Sequence, residues 1–154
     1  MNIFDKLKHF NEDENWGNPD KMDNKLLILL DEFREHIGSS IIVTCGNQGK
    51  HSAKSYHYIE NGSCAVDIVL PYYNGTLFDL LMSLTRFNFK GIGYYPGWKY
   101  QGSKCAGLHL DTRPKLEGAR WFQPEGSKEY LPLTLLDLKA ANLEVFQSCR
   151  DISN

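Results

Sequence analysis

The sequence predicts a single α+β domain in which a mainly antiparallel sheet is flanked by helices. Its 154 residues fit one domain with an ordinary hydrophobic core. A content of 42% hydrophobic and 23% charged residues is typical of a globular protein that folds in water. Helix-like and strand-like segments follow one another without the βαβ alternation of a parallel sheet. Residues 1–154 are therefore treated as one domain, and the sequence contains no repeat or obvious linker.

Three segments have the apolar spacing of amphipathic helices. Residues 21–37 place apolar side chains on one face and are followed by Gly38, which can end a helix in the left-handed conformation. Residues 76–87 show the same spacing through several leucines, and residues 133–149 predict a final helix. Residues 2–10 form a shorter amphipathic segment.

The predicted strands lie between these helices. Residues 41–44 and 63–70 are almost continuously apolar, and the second run ends at Pro71. Residues 91–95 and 107–111 predict two further strands joined by a glycine-rich loop, and residues 119–122 predict an edge strand. The polar residues 46–55 are expected to form a loop.

Charge and hydropathy exclude several classes of protein. A net charge of −2 argues against a general binder of nucleic acids or anionic membranes. The chain contains no run of 18 apolar residues and does not open with a signal peptide. We therefore expect synthesis in the cytoplasm, with access to a cell wall only after lysis, through a holin or by another route.

Four cysteines occur at positions 45, 64, 105 and 149, without CxxC spacing. Because no secretory signal is present, we expect free thiols rather than disulfides. Cys45 and Cys64 lie in strand-like runs and are expected in the core. Cys105 is expected near the site described next, with a role as a stray metal ligand as the lesser alternative.

His57, Asp67 and His109 are the most informative residues. Asp67 is the one acid in the apolar residues 65–70, and burying a carboxylate in such a strand is costly unless it is paired or binds metal. His109 lies in a strand with alternating character. Two imidazoles and a carboxylate form a three-ligand zinc set that leaves the fourth position for water, as in catalytic sites. Considered alone, His57 would be read as a solvated loop histidine; the prediction of one Zn²⁺ ion held by all three residues depends on their order in the motifs described next.

The motifs around these residues resemble a known family. Residues 51–58 (His-Ser-Ala-Lys-Ser-Tyr-His-Tyr) precede Ala-Val-Asp-Ile at 65–68, Gly-Ile-Gly-Tyr-Tyr-Pro at 91–96 and Leu-His-Leu-Asp at 108–111. In this order they look like the zinc D-alanyl-D-alanine carboxypeptidases of peptidoglycan metabolism. The first stretch is also similar to the Hedgehog signalling domain, which shares that fold and zinc site. The resemblance runs from about residue 10 to residue 121.

The resemblance implies a fold of the Hedgehog/DD-peptidase type and zinc-dependent hydrolysis of peptide bonds in peptidoglycan stem peptides. The activity would be carboxypeptidase-like or that of an endolysin-like endopeptidase, and the bond cleaved and the oligomeric state stay open. A small enzyme of this kind suits a phage or prophage origin. The alternative is a non-catalytic, zinc-stabilised binding module or virion component of the same fold.

The sequence departs from the family pattern in three places. Nine residues separate His57 from Asp67, more than the family usually has. Residues 45–48 read Cys-Gly-Asn-Gln where many members carry Ser-Gly-Tyr-Arg, so the substrate-binding arginine is absent. Two positions that supply a base in other members are occupied by Ala106 and Gly107. The missing arginine favours altered specificity or a non-hydrolytic protein, whereas the longer spacing would reshape the rim of the site without weakening a ligand.

Asp111 and Arg113 follow His109 at alternate positions, so a strand would present all three on one face. Asp111 matches the His-x-Asp form of the family and is expected either to act as general base or to orient a ligand imidazole. Arg113 would replace the missing arginine as a carboxylate-binding residue or form a structural salt bridge.

The remaining candidates come from the loop and the aromatic residues. The resemblance makes His51 and the Tyr95 hydroxyl candidate donors to a tetrahedral oxyanion, while an ordering role for His51 in its loop is the alternative. Trp98, Tyr94 and Trp121 are candidates for the lining of a substrate groove, although core packing is the more frequent role of such residues.

Overall fold

A six-stranded mixed sheet with two helices packed on one face forms the body of the protein. The structure is a computed structural model that describes residues 2–140 and 145–149. The helices are α1 (Asn24–Ile37), α2 (Leu77–Arg86) and the short α3 (Leu135–Ala140). The strands are β1 (Ile42–Cys45), β2 (Ala65–Val69), β3 (Gly91–Tyr95), β4 (Lys99–Tyr100), β5 (Ser103–Lys104), β6 (Gly107–Asp111), β7 (Ala119–Phe122) and β8 (Leu131–Pro132). Three 3-10 turns cover Ile3–Lys6, Pro19–Lys21 and Ile59–Asn61.

The strand order of the main sheet is β1-β2-β6-β3-β7-β8, and β4 and β5 form a separate hairpin. All pairings in the main sheet are antiparallel except that of β3 with β7, which is parallel. The predicted α+β class with a mainly antiparallel sheet is therefore confirmed at this level. The predicted strand at residues 119–122 is confirmed as β7, but it does not lie at the edge of the sheet, because β8 pairs with it and occupies the edge.

Local signals explain where the two longer helices begin and end. The Asp23 side chain accepts a hydrogen bond from the backbone N–H of Leu26, and Thr76 does the same for Asp79, so each helix starts at an N-cap. Gly38 ends α1 with φ +58°, as its position in the sequence predicts. The predicted start at residue 21 is three residues early, because residues 19–21 form a 3-10 turn before the cap.

The alternation of side chains gives the sheet two chemically different faces. One face packs on the helices and carries the buried apolar residues of the strands, which include Val66, Ile68, Ile92, Leu108 and Leu110. These residues and the apolar faces of α1 and α2 form one hydrophobic core, and the burial of such a core is the main driving force for folding. The opposite face carries the polar residues of the same strands, and the candidate site lies there.

The predicted final helix over residues 133–149 is mostly wrong. Helix α3 ends at Ala140, residues 141–144 lie outside the described part of the chain, and residues 145–149 are not helical. Phe146 is buried and contacts the rings of Tyr73 and Tyr94 instead. The helical spacing failed here because tertiary packing against the sheet determines the path of this segment. Within the described residues, no helix is long and apolar enough to cross a membrane.

The expectation of four free cysteines is wrong for two of them, because Cys105 and Cys149 form a disulfide. The backbone N–H of Ala106 donates to the carbonyl of Gln147 at 2.9 Å, so residues 145–149 run beside the start of β6. This places Cys149 next to Cys105, although 44 positions separate them in the sequence. Cys45 and Cys64 are free; Cys64 is buried as predicted, whereas Cys45 is only partly buried.

Candidate metal centre

The strand register places the candidate residues in one row across the face of the sheet opposite the helices. Cys45 of β1 pairs with Asp67 of β2, Asp67 with His109 of β6, His109 with Gly93 of β3, and Gly93 with Trp121 of β7. Side chains at paired positions lie side by side on the same face. The row therefore brings Asp67 and His109 together from segments that are 42 residues apart.

His57 reaches this row from the loop between β1 and β2. Its Nδ1 lies 2.6 Å from the carbonyl oxygen of Gly46, which directly follows β1. The loop between His57 and Asp67 contains the 3-10 turn Ile59–Asn61, which accommodates the extra residues noted in the sequence. The structure thus brings together all three residues of the predicted zinc set.

The three side chains present one ligand atom each at nearly equal separations. His57 Nε2 lies 3.1 Å from His109 Nδ1, His109 Nδ1 lies 3.0 Å from Asp67 Oδ1, and His57 Nε2 lies 3.3 Å from Asp67 Oδ1. Zinc bonds of about 2.0–2.1 Å in a tetrahedron place ligand atoms about 3.3 Å apart. The triangle therefore has the size of one face of a tetrahedral zinc site.

The other nitrogen of each imidazole determines which atom faces the triangle. A carbonyl oxygen can only accept, so His57 Nδ1 carries the proton that is donated to Gly46 and Nε2 presents a lone pair. His109 Nε2 lies 3.0 Å from Asp111 Oδ2 and donates to it, which leaves the Nδ1 lone pair. Three electron-rich atoms thus converge, and the arrangement requires a positive charge among them, either a metal ion or an added proton.

The pKa shifts agree with that requirement. Burial acts to raise the pKa of Asp67, but the hydrogen bonds with His109 and His57 outweigh it and lower the pKa to about 2. Burial acts to lower the pKa of His109, but its contacts with Asp111 and Asp67 raise it above the ordinary value. Asp67 is therefore an ionised ligand, and without metal the site favours a proton on His109.

Asp111 lies behind His109 and is fully buried. Its carboxylate accepts hydrogen bonds from the backbone N–H and the Nε of Arg113, at 3.1 and 2.8 Å, and pairs with Nη2 of the same guanidinium. Burial opposes ionisation, yet the contacts with Arg113 and His109 hold the pKa of Asp111 well below its usual range. Gly91 faces this carboxylate on β3, where a Cβ atom would lie 2.0 Å from Oδ2.

Arg113 contacts two aromatic rings through its guanidinium group. The guanidinium carbon lies over the ring of Tyr56, 4.5 Å from its centre, and over the ring of Trp121 at 5.6 Å. Two of its nitrogens bond Asp111. The guanidinium therefore forms a structural salt bridge, the second of the two roles expected for it.

The three candidate ligands lie in an open cleft of about 570 Å³. Its other lining residues are Ser55, Tyr95, Trp98, Trp121, Gln123 and Tyr130. Tyr95 and Trp98 stack at 4.4 Å, and the Trp121 indole N–H donates to the Tyr95 hydroxyl at 2.9 Å. Burial raises the pKa of Tyr95 to about 12, so its hydroxyl is a neutral donor at ordinary pH.

Two glycines make room for the indole rings. A Cβ atom at Gly107 would lie 1.7 Å from the ring of Trp98, and one at Gly93 would lie 2.6 Å from the ring of Trp121. Each ring therefore covers a strand position without a side chain: Gly93 pairs with His109 on the neighbouring strand, and Gly107 lies two residues before His109 on the same strand. Trp98 and Trp121 line the cleft, whereas Tyr94, the third aromatic candidate, is fully buried in the core.

His51 does not line the cleft. It stacks on the ring of His57 with ring centres 4.8 Å apart, and its Nε2 lies 2.6 Å from the carbonyl of Gln48. Cys45 Sγ lies 4.0 Å from His51 Nε2, and Cys45, His51 and His57 form a second group close enough to hold a metal ion. Burial raises the pKa of the Cys45 thiol to about 11, with a contribution from Asp67.

Sequence reasoning missed several contributors to this site. It assigned no role to two residues of the cleft, Gln123 and Tyr130, or to the carbonyl of Gly46. It also assigned none to the glycines that make room for the Asp111 carboxylate and the indole rings, which are Gly91, Gly93 and Gly107. The Gly-Ile-Gly pattern of β3 was the available signal, because glycine in a strand often marks a close approach by another group.

Comparisons with known proteins do not identify the chain. No protein-family model, no curated protein and no solved structure matches it. The architecture and the candidate metal centre therefore stand on the geometry of the chain itself.

Proposed function

We propose that this protein is a zinc-dependent peptidase that hydrolyses peptide bonds in peptidoglycan stem peptides. The observation that carries the proposal is the triangle of His57 Nε2, Asp67 Oδ1 and His109 Nδ1, with sides of 3.0–3.3 Å, in an open cleft. Three protein ligands that face a cleft leave a coordination position for water or substrate. The substrate class rests on the resemblance of the zinc motifs to the D-alanyl-D-alanine carboxypeptidases.

His57, Asp67 and His109 would hold the ion. A bound Zn²⁺ supplies a Lewis acid that polarises a carbonyl and lowers the pKa of a coordinated water. The Tyr95 hydroxyl lines the same cleft and is oriented by the Trp121 indole, so it would donate a hydrogen bond to the scissile carbonyl oxygen. The Tyr95–Trp98 pair would supply a flat wall for the peptide.

We assign Asp111 the orienting role rather than that of the base. Its carboxylate is fully buried and is already occupied by Arg113 and His109. A carboxylate that accepts the second N–H of a metal-binding histidine fixes the ring and its tautomer. Arg113 would hold Asp111 in place rather than contact substrate, and His51 would support the ring of His57 from behind.

The proposal is tested by metal analysis together with turnover. Purified protein should bind one zinc ion per chain and hydrolyse purified muropeptides, and a chelator should abolish the hydrolysis reversibly. His109→Ala should lose both zinc and activity. His36→Ala is a matched control, because it removes an exposed histidine of α1 that is not among the candidate ligands. Undiminished zinc in His109→Ala would refute the assignment of the ligands.

A non-catalytic, zinc-stabilised binding module or virion component is the second candidate. It is favoured by one observation: among the described residues that line the cleft, the only imidazoles and carboxylate are the three candidate ligands. No side chain is left there as a free general base. Full zinc occupancy without hydrolysis of any stem peptide would support this candidate over the peptidase.

The place of action is also a proposal. The Cys105–Cys149 disulfide suits an oxidising environment, because the reducing cytosol disfavours disulfides. We propose that the protein acts on the cell wall after release from the cell in which it is made, as a phage-encoded enzyme would. Mass spectrometry of the protein from each compartment, under conditions that trap thiols, would test this.

A further inference from the structure

We propose that the cleft excludes a free carboxylate next to the scissile bond, so that the protein acts on internal amide bonds as an endopeptidase. The inference rests on the proposed peptidase function and specifies its substrate. Three features support it: the charges that line the cleft, the state of Arg113 and the aromatic walls.

The described residues that line the cleft offer no cation to a terminal carboxylate, because none of them is lysine or arginine. A carboxylate that leaves water needs an opposite charge or several N–H donors. The metal would not fill this need, because the scissile carbonyl and the water require its open position and a carboxylate there would block both.

Arg113 is not available as a substitute. Its Nε and Nη2 both bond the buried carboxylate of Asp111, and its guanidinium carbon lies over the ring of Tyr56. It lines a different pocket, together with Lys25, Lys90 and Lys115. Turning it toward the substrate would leave Asp111 buried without its cation, which is strongly unfavourable.

The nearby Lys104 is already paired. It forms a salt bridge with Glu125, whose side chain contacts Gly97. Neither Lys104 nor Glu125 is among the residues that line the cleft. A substrate carboxylate would have to compete with Glu125 for this lysine. The pair adds no net charge at the cleft.

The walls of the cleft suit an uncharged chain that continues past the bond. Tyr95 and Trp98 present stacked rings, Tyr130 is 61% exposed, and Gln123 adds an amide that can donate and accept. Aromatic faces and amides bind peptide planes and apolar side chains without requiring charge. The substrate we infer is therefore a peptide that is extended or neutral on both sides of the scissile bond, such as a cross-linked stem peptide.

Matched substrates test the inference. Three synthetic stem peptides would share the same scissile bond. The residue after this bond would carry a free carboxylate in the first peptide, a carboxamide in the second, and one further residue in the third. Zinc-loaded protein should cleave the carboxamide and the extended peptide at least about tenfold faster in kcat/KM than the free acid. An equal or faster rate for the free acid would overturn the inference and leave the peptidase proposal standing.

A charge-insertion variant tests the cause. Gln123→Arg should shift the preference toward the free acid, whereas Gln101→Arg, which adds the same charge at the exposed β4–β5 turn, should not. Thermal unfolding would establish that both variants are folded. A preference that is the same in Gln123→Arg as in the wild type would show that charge in the cleft does not set the preference, and would overturn the inference.

If none of the three peptides is hydrolysed, the peptidase proposal fails. The exclusion of the carboxylate can then still be tested by measuring how tightly each peptide binds. Trp98 and Trp121 line the cleft, so bound peptide should change the tryptophan fluorescence of the zinc-loaded protein. Tighter binding of the carboxamide than of the free acid would support exclusion of the carboxylate. Equal or tighter binding of the free acid would refute it.

Discussion

The substitution Asp111→Asn tests whether the Asp111 carboxylate orients the His109 ring or acts as a general base. The substitution keeps the shape of the side chain and removes its charge, so Arg113 loses its anion inside the fold. Breaking a buried pair costs about 3–5 kcal/mol. Because the Arg113 side chain is 14% exposed and keeps its cation–π contact with Tyr56, we expect the lower end, about 3 kcal/mol. For a chain of this size that corresponds to a fall in Tm of about 6–12 °C.

The same substitution should weaken zinc binding. The Asp111 carboxylate accepts a hydrogen bond from the N–H at His109 Nε2 at 3.0 Å and so fixes the tautomer that leaves Nδ1 for the metal. Loss of such a partner typically costs about 10–100-fold in metal affinity. Activity measured at saturating zinc should then recover in large part.

Competition with a chromogenic chelator would give the zinc affinity, and thermal unfolding would give the stability. Asp13→Asn is a suitable control, since it removes the same charge from an exposed residue and should leave both quantities unchanged. If Asp111→Asn binds zinc as tightly as the wild type but loses turnover at saturating zinc, Asp111 is the general base and our assignment fails.

Three further predictions concern the metal, the disulfide and the aromatic wall. Zinc at about 1,000 times its Kd should stabilise the wild type by about 4 kcal/mol in thermal unfolding, and His109→Ala should abolish this gain; an equal gain in the variant would refute the site. Thiol counting on denatured, unreduced protein should find two free thiols, and reduction of Cys105–Cys149 should cost about 4 kcal/mol by the chain-entropy model for a separation of 44 residues; four free thiols would contradict the disulfide. Gly107→Ala should displace the Trp98 ring, which a Cβ would approach to 1.7 Å, and cost about 1–3 kcal/mol with a change in tryptophan emission; unchanged stability and emission would contradict the packing.

The parts of the fold that depend on local pattern were predictable. Alternation along residues 107–111 correctly separates the buried leucines from His109 and Asp111, because side chains on a strand point to opposite faces in turn. Gly38 ends α1 because only a residue that tolerates positive φ fits there readily. The spacing of residues 133–149 predicted the wrong structure, since helical spacing cannot show that Phe146 packs against Tyr94.

By itself, the sequence determined the α+β class and the two main helices, because periodicity and caps act over a few residues. A lone acid in an apolar strand pointed to Asp67, and the resemblance of the motifs implied His57 and His109 as its partners. Tertiary structure alone decided that the Asp111 carboxylate bonds Arg113 and that Cys105 bonds Cys149. It also decided that the described residues lining the cleft around the ligands include no lysine or arginine. These features depend on strand register and on segments that lie far apart in the chain. A change of register by one residue would turn every side chain of the shifted strand to the other face of the sheet.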